Sequence, residues 1–219
     1  MASVRPYART ASLVVALAAT LAGDVGVASA AIVSTPEDCY SSRKPVDFVG
    51  VDFKKGARYT ATVAGKQVAH GRVTKFGDIA GSFDAPVPAS SGPGERTFAL
   101  RLSDGAHSAT TRFRTTIFGA DFKPSRGDPG TLKVSFLAFD FGTARTIYLH
   151  YVRPNGKLRM TVRLGRTRGP CGTLRTRRLP IFPFTARPGA WRLQFDTRRA
   201  YHRHAIPHVR LVVPIRRVR

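Results

Sequence analysis

"VDFVGVDF" at Val46–Phe53 returns as "VSFLAFDF" at Val134–Phe141, matching at Val46/Val134, Phe48/Phe136, Asp52/Asp140 and Phe53/Phe141. Each copy sets apolar side chains at a period of two, which marks a strand with one face buried. A repeated strand predicts two copies of one β plan within the chain.

The flanks repeat too. "ARYTATVAGK" in the first half corresponds to "RTIYLHYVRPNGK" in the second, each closed by a Gly-Lys turn, and "GERTFALRLSD" from Gly94 corresponds to "GAWRLQFDTRR" from Gly189. "HSATTRFRTTI" and "HVRLVVPI" supply the closing strands. No segment carries a sustained helical period, and the 20 glycines and 15 prolines fall mostly between the strands. The pattern predicts an all-β chain of two tandem immunoglobulin-like β-sandwich domains at 46–118 and 132–219. An N-terminal arm is expected at 31–45. The Gly/Pro/Asp-rich stretch at 119–131 is expected to be a linker; its "RGD" at Arg126–Asp128 belongs to the turn chemistry of "GDPG".

The first thirty residues have the form of a cleaved secretory signal peptide: Arg5 and Arg9, an apolar run from Leu13 to Leu21, then Ala28 and Ala30 at the −3 and −1 positions. The run is too short to cross a bilayer, and Asp24 stands where a lipid-accepting cysteine would be. The expectation is a secreted, extracytoplasmic protein with no membrane span after cleavage.

"GVDFKKGARYTATVAGK" followed by "GDIAGSFDAPV" resembles secreted bacterial immunoglobulin-like repeats of the IPT/TIG type, with Gly50, Phe53, Gly56, Asp78, Gly81 and Phe83 at the matching positions. The second half is similar to C-terminal domains of secreted actinobacterial proteins. It has Ala138 for the first glycine and "RGPCGTL" in place of the Asp-x-x-Gly-x-Phe element. The resemblance implies the sandwich fold and no particular chemistry.

Charge divides the halves. The chain carries 36 Lys/Arg against 13 Asp/Glu, but 133–219 holds 20 against 2 while 46–119 holds 10 against 6. Arg159, Arg163, Arg166, Arg168, Arg175, Arg177 and Arg178 are the candidate anion-binding residues on this basic half. The expected partner is an anionic cell-envelope polymer or a surface protein. Tyr148 and Tyr151 stand near the arginines, but no nucleic-acid recognition motif accompanies them, so no specific nucleic acid is expected. On "KLRMTVRL" the alternation predicts Leu158, Met160, Val162 and Leu164 toward the core.

Cys39 and Cys171 are the two cysteines, and in an exported chain they favour a disulfide. Cys39 precedes the first expected strand and Cys171 lies in the second domain, so the bond requires either domains folded back on each other or an arm that reaches the second domain. Intermolecular pairing, free thiols and a nucleophilic Cys171 are the alternatives. His202, His204 and His208 in "YHRHAIPH" are candidate metal ligands, since a His-x-His pair on a strand faces one way; a solvated loop is the competing reading. No motif calls for a cofactor, and none marks an enzyme. The expected role is binding or envelope association, with a surface-display spacer or a small extracellular hydrolase as alternatives.

Overall fold

The computed structural model describes residues 30–88 and 93–216. The signal peptide expected at 1–30 falls, but for Ala30, outside them.

The first unit is built from β1 (Ile32–Ser34), β2 (Cys39–Ser41), β3 (Pro45–Val51), β4 (Arg58–Val63), β5 (Lys66–Arg72), β6 (Ile79–Asp84), β7 (Gly94–Ser103) and β8 (Ser108–Ile117). They form two sheets, β1-β3-β6 and β2-β8-β7-β4-β5. β2 runs parallel to β8, and the other pairings are antiparallel. In the lettering of the immunoglobulin sandwich these are strands A, A′, B, C, C′, E, F and G. The opening repeat is strand B, where Val46, Phe48 and Gly50 face inward.

The second unit repeats the plan with β9 (Gly119–Lys123), β10 (Lys133–Phe139), β11 (Thr146–Val152), β12 (Leu158–Arg166), β13 (Leu174–Arg175), β14 (Leu179–Pro180), β15 (Gly189–Asp196) and β16 (His208–Ile215). β9, β13 and β14 flank β10 in one layer, and the other is β12-β11-β15-β16. Each unit closes on its own core. Phe48, Phe113, Ile79, Leu100 and Leu102 fill the first, and Phe136, Phe195, Ile147, Leu149 and Leu193 fill the second. The chain is a tandem pair of immunoglobulin-like β-sandwiches.

Three expectations change. The stretch read as a linker opens with β9, which pairs with β10 from Ser135↔Lys123 to Phe139↔Gly119, so the second sandwich starts directly after β8. The arm at 31–45 is structural, because β1 joins one sheet of the first unit and β2 the other. Leu158 and Met160 are 41% and 40% exposed, not core. They lie on β12, an edge strand bulged between the pairs Tyr151↔Met160 and Val152↔Leu158, and the bulge disrupts the strict inward alternation there.

The E strands show how the copies diverged. β6 passes β3 unbroken, with Ile79↔Gly50, Gly81↔Phe48 and Phe83↔Val46 paired. A Cβ on Gly81 would lie 2.5 Å from the Phe48 ring, so glycine is what lets this aromatic lie flat against the neighbouring strand. In the second copy Leu174↔Ala138 and Leu179↔Val134 are the corresponding pairs, with one more residue between them. The ladder breaks there, and Thr176 mends it: the Phe136 N–H donates to Thr176 Oγ1 at 2.9 Å, and the Thr176 N–H donates to Phe136 O at 3.0 Å.

Candidate functional site

"RGPCGTL" folds into a tight hairpin between β12 and β13. Arg168 and Thr173 exchange both backbone hydrogen bonds, and the Gly172 N–H closes a turn on Gly169 O, placing Cys171 at its tip. Gly169 and Gly172 take φ of 68° and 56°, a conformation that glycine adopts without steric cost. Thr167 pins the hairpin base to the β10–β11 turn: its hydroxyl donates to Gly142 O at 2.6 Å and accepts the Arg145 N–H at 2.9 Å.

Cys171 is bonded to Cys39, with the Cα atoms 5.3 Å apart, inside the normal range for a disulfide. No folding back of the domains is needed. β2 runs beside β8, the strand that leads into the second unit, so Cys39 already lies near the junction. With both sulfurs in the bond, neither a free thiol nor a nucleophilic Cys171 remains. The junction is reinforced by Ser41 Oγ donating to Asp140 Oδ2 at 2.7 Å and by the Phe118 and Phe141 rings with centroids 4.9 Å apart. Burial pushes the Asp140 carboxyl above its ordinary value, and the Ser41 bond only partly opposes this. Asp140 and its repeat partner Asp52 both occupy positive φ, 64° and 63°.

The hairpin brings the arginines together. Arg163, Arg166, Arg168, Arg175 and Arg177 line a groove of about 730 Å³ between β12 and β13, with Leu164, Leu174 and Leu179 beneath. On the other side of β13, Arg175, Arg178 and Lys123 border a second groove of about 600 Å³ floored by Leu137 and Phe139, which reaches Glu95 of the first unit. Six of the seven candidate arginines therefore ring two adjoining hollows. Arg159 stands apart, its guanidinium over the Phe184 ring at 5.4 Å.

The one carboxylate lining these hollows among the described residues is Glu95 of the first unit, and it is paired with Arg114. The second unit holds four carboxylates: Asp121 on β9, which accepts the Phe122 N–H, Asp128, which accepts the Gly130 N–H and the Thr131 hydroxyl, Asp140, bonded to Ser41, and Asp196, which is fully buried. Among the described residues, none of the six arginines is ion-paired. The Arg166 guanidinium donates to Ala144 O, the one internal acceptor these six side chains use among the described residues. Of the tyrosines near them in sequence, Tyr151 is buried in the core, while Tyr148 is paired in register with Arg163 and shares with it a third hollow on the outer sheet face.

The histidines do not form the expected ligand set. His202 and His204 lie in a turn, not on a strand, and His202 Nδ1 accepts the His204 N–H at 3.3 Å. The His208 ring is bonded to Ala205 O. Among the described residues, no group of three His, Cys, Asp or Glu side chains converges as a metal site.

No family model matches the chain, and no curated protein does. Its IPT/TIG resemblance therefore rests on the quoted residues alone. Solved structures similar to it include the tetra-tandem repeat in the extending region of a large adhesion protein, at 12% identity and a TM-score of 0.28 over 85% of this chain and 49% of that one. The human OSCAR ligand-binding domain is 11% identical with a TM-score of 0.32, over 85% of this chain and 98% of its own. Bovine butyrophilin is 10% identical with a TM-score of 0.31, over 86% of this chain and all of its own. The chain spans about half the length of the first of these. The fold assignment rests on the strand pairing described above.

Proposed function

We propose that this protein is an extracytoplasmic binding module that holds an anionic polymer in the arginine-lined grooves beside β13. One observation carries the reading: six arginines converge on two adjoining hollows, while the unit's four carboxylates accept hydrogen bonds from neighbours other than these arginines. Guanidinium groups that are not held in ion pairs attract phosphate, sulfate or carboxylate groups and bind them through paired donors. The grooves offer leucines and one phenylalanine between the cations, not a run of exposed aromatic rings, so the backbone charge of a polymer is recognised and bases are not stacked.

Binding to long-chain polyphosphate tests this. Arg166→Gln, Arg175→Gln and Arg177→Gln together are expected to abolish retention on the immobilised polymer. Arg58→Gln, Arg72→Gln and Arg101→Gln, which remove the same charge from the first unit, are expected to leave it nearly intact. Counterion release predicts that wild-type affinity falls about a hundredfold or more between roughly 50 and 200 mM salt. Equal losses for the two triple variants, or retention indifferent to salt, would sink the reading.

A further inference from the structure

The outer face of the β12-β11-β15-β16 sheet carries a polar network that crosses all four strands. On β11, His150 Nδ1 lies 2.8 Å from Thr161 Oγ1 of β12, and His150 Nε2 lies 3.2 Å from Asp196 Oδ1 of β15 and 3.1 Å from Arg198 O. Gln194 donates to Asp196 Oδ2 and to His202 O, and accepts from Arg210 Nε of β16 at 2.8 Å. The β15–β16 loop lies over this face, with the Tyr201 ring centroid 5.5 Å from that of His150. His150, Gln194 and Asp196 are completely buried; Thr161 is half-buried at the rim of a hollow of about 590 Å³ shared with Thr146, Tyr148, Arg163 and Arg199.

The partners of Nε2 fix one proton of this network. Arg198 O can only accept, so Nε2 carries a hydrogen and shares it between Arg198 O and Asp196. In the neutral imidazole Nδ1 is then the bare nitrogen, and the Thr161 hydroxyl donates its proton to it. A hydroxyl on a base, with the base oriented by a carboxylate, is the arrangement that activates an alcohol for attack on a carbonyl. A buried structural strut needs no half-exposed hydroxyl at the end of the chain and no cationic hollow in front of it.

We propose that Thr161, His150 and Asp196 form an acyl-transfer triad acting on a carboxylic ester that bears a nearby anionic group, which Arg163 and Arg199 would receive. In the step, Thr161 Oγ forms a bond to the ester carbonyl carbon while its proton passes to His150 Nδ1. The ester C–O bond then breaks, the leaving alcohol takes that proton, and an acyl-threonine remains. Attack by water, assisted in the same way, releases the carboxylic acid. This activity occupies the outer sheet face and is separate from polymer binding beside β13, although Arg163 borders both hollows.

The test uses the full chain with mono-(4-nitrophenyl) succinate, following nitrophenolate release and the intact mass. The expected result is one added succinyl group, mapped to Thr161 by peptide mass spectrometry. Thr161→Val, which keeps the side-chain shape, should slow labelling about a hundredfold, the usual scale of general-base assistance. Thr161→Ser should retain it, and neutral 4-nitrophenyl acetate should label Thr161 more slowly. The combined Arg175→Gln and Arg177→Gln variant should lose polymer retention yet still acylate. Succinyl groups scattered over lysines and unaffected by Thr161→Val would overturn the triad, as would a folded wild-type chain that takes none and releases no nitrophenolate.

Discussion

The two sandwiches spend the same strand differently. β6 runs unbroken beneath Phe48 because Gly81 has no side chain, whereas its counterpart is split into β13 and β14 around Thr176, and the connection before it becomes the Cys171 hairpin. The first copy keeps a plain sheet, while the second gains a covalent tie to β2 and two arginine-lined hollows. One inserted residue and a hairpin in a redundant strand separate a structural copy from the copy that carries the chemistry.

The disulfide is the largest lever on that contrast. Joint Cys39→Ser and Cys171→Ser substitution releases a 132-residue loop and is expected to cost about 4 kcal/mol. Denaturant melts should show the second unit losing stability together with its hairpin. Gly172→Ala comes next: a Cβ there would meet the Gly142 backbone at 2.5 Å, at a positive φ, for about 3 kcal/mol. The same change at Gly81 pushes on the Phe48 ring and is expected to cost about 2 kcal/mol in the first unit alone. If the Gly81 change proved the more damaging, the hairpin would not be the more constrained of the two solutions.

Acid sharpens the comparison. Burial pushes Asp196 upward, but donors from His150, Gln194 and the Arg198 N–H outweigh it and hold the carboxyl below its ordinary value. In the first unit Asp104 is held low in the same sense: burial opposes, and the N–H groups of His107, Lys54 and Ala106 prevail. A depressed folded value means stability present above the unfolded value and lost as pH falls through the folded one. Both corners should therefore weaken below about pH 4. Asp140, raised by burial, has the opposite sign, and its contribution is lost as pH rises. Melting of Asp196→Asn and Asp140→Asn against wild type from neutral to acid pH should show differences that change in opposite directions.

The smallest expected effects concern single hydroxyls. Thr176→Val leaves the buried Phe136 N–H without its acceptor, for a loss of about 1 kcal/mol. Thr115 Oγ1 in β8 is buried with no hydrogen-bond partner among the described residues, so Thr115→Val is expected to gain about 1 kcal/mol. Thermal melts of the two valine variants, compared side by side, distinguish a hydroxyl that mends a ladder from one that does not.

The strands were visible in the sequence where they alternate over six or more residues, as β3, β7, β8 and β15 do. β1, β2 and β9 escaped because three to five residues are too few for a period to register and because their partners are remote in the chain. The arginines were visible as a charge excess, but their division by β13, and the separation of Arg159 onto Phe184, came from strand breaks and a bulge that side-chain periodicity does not encode. The His150 network gave no signal at all. Its three central residues sit on separate strands, each unremarkable in its own segment.

By itself the sequence determined the all-β class, the doubled plan and the concentration of positive charge in the second half, because these follow from local periodicity and composition. Tertiary structure alone decided that Cys39 lies 5.3 Å from Cys171 by Cα, that six arginines border two shared hollows and that Thr161, His150 and Asp196 meet. Those depend on register and on which strands become neighbours. Register is set by the burial of whole sheet faces, a property of the folded core that no single stretch of chain contains.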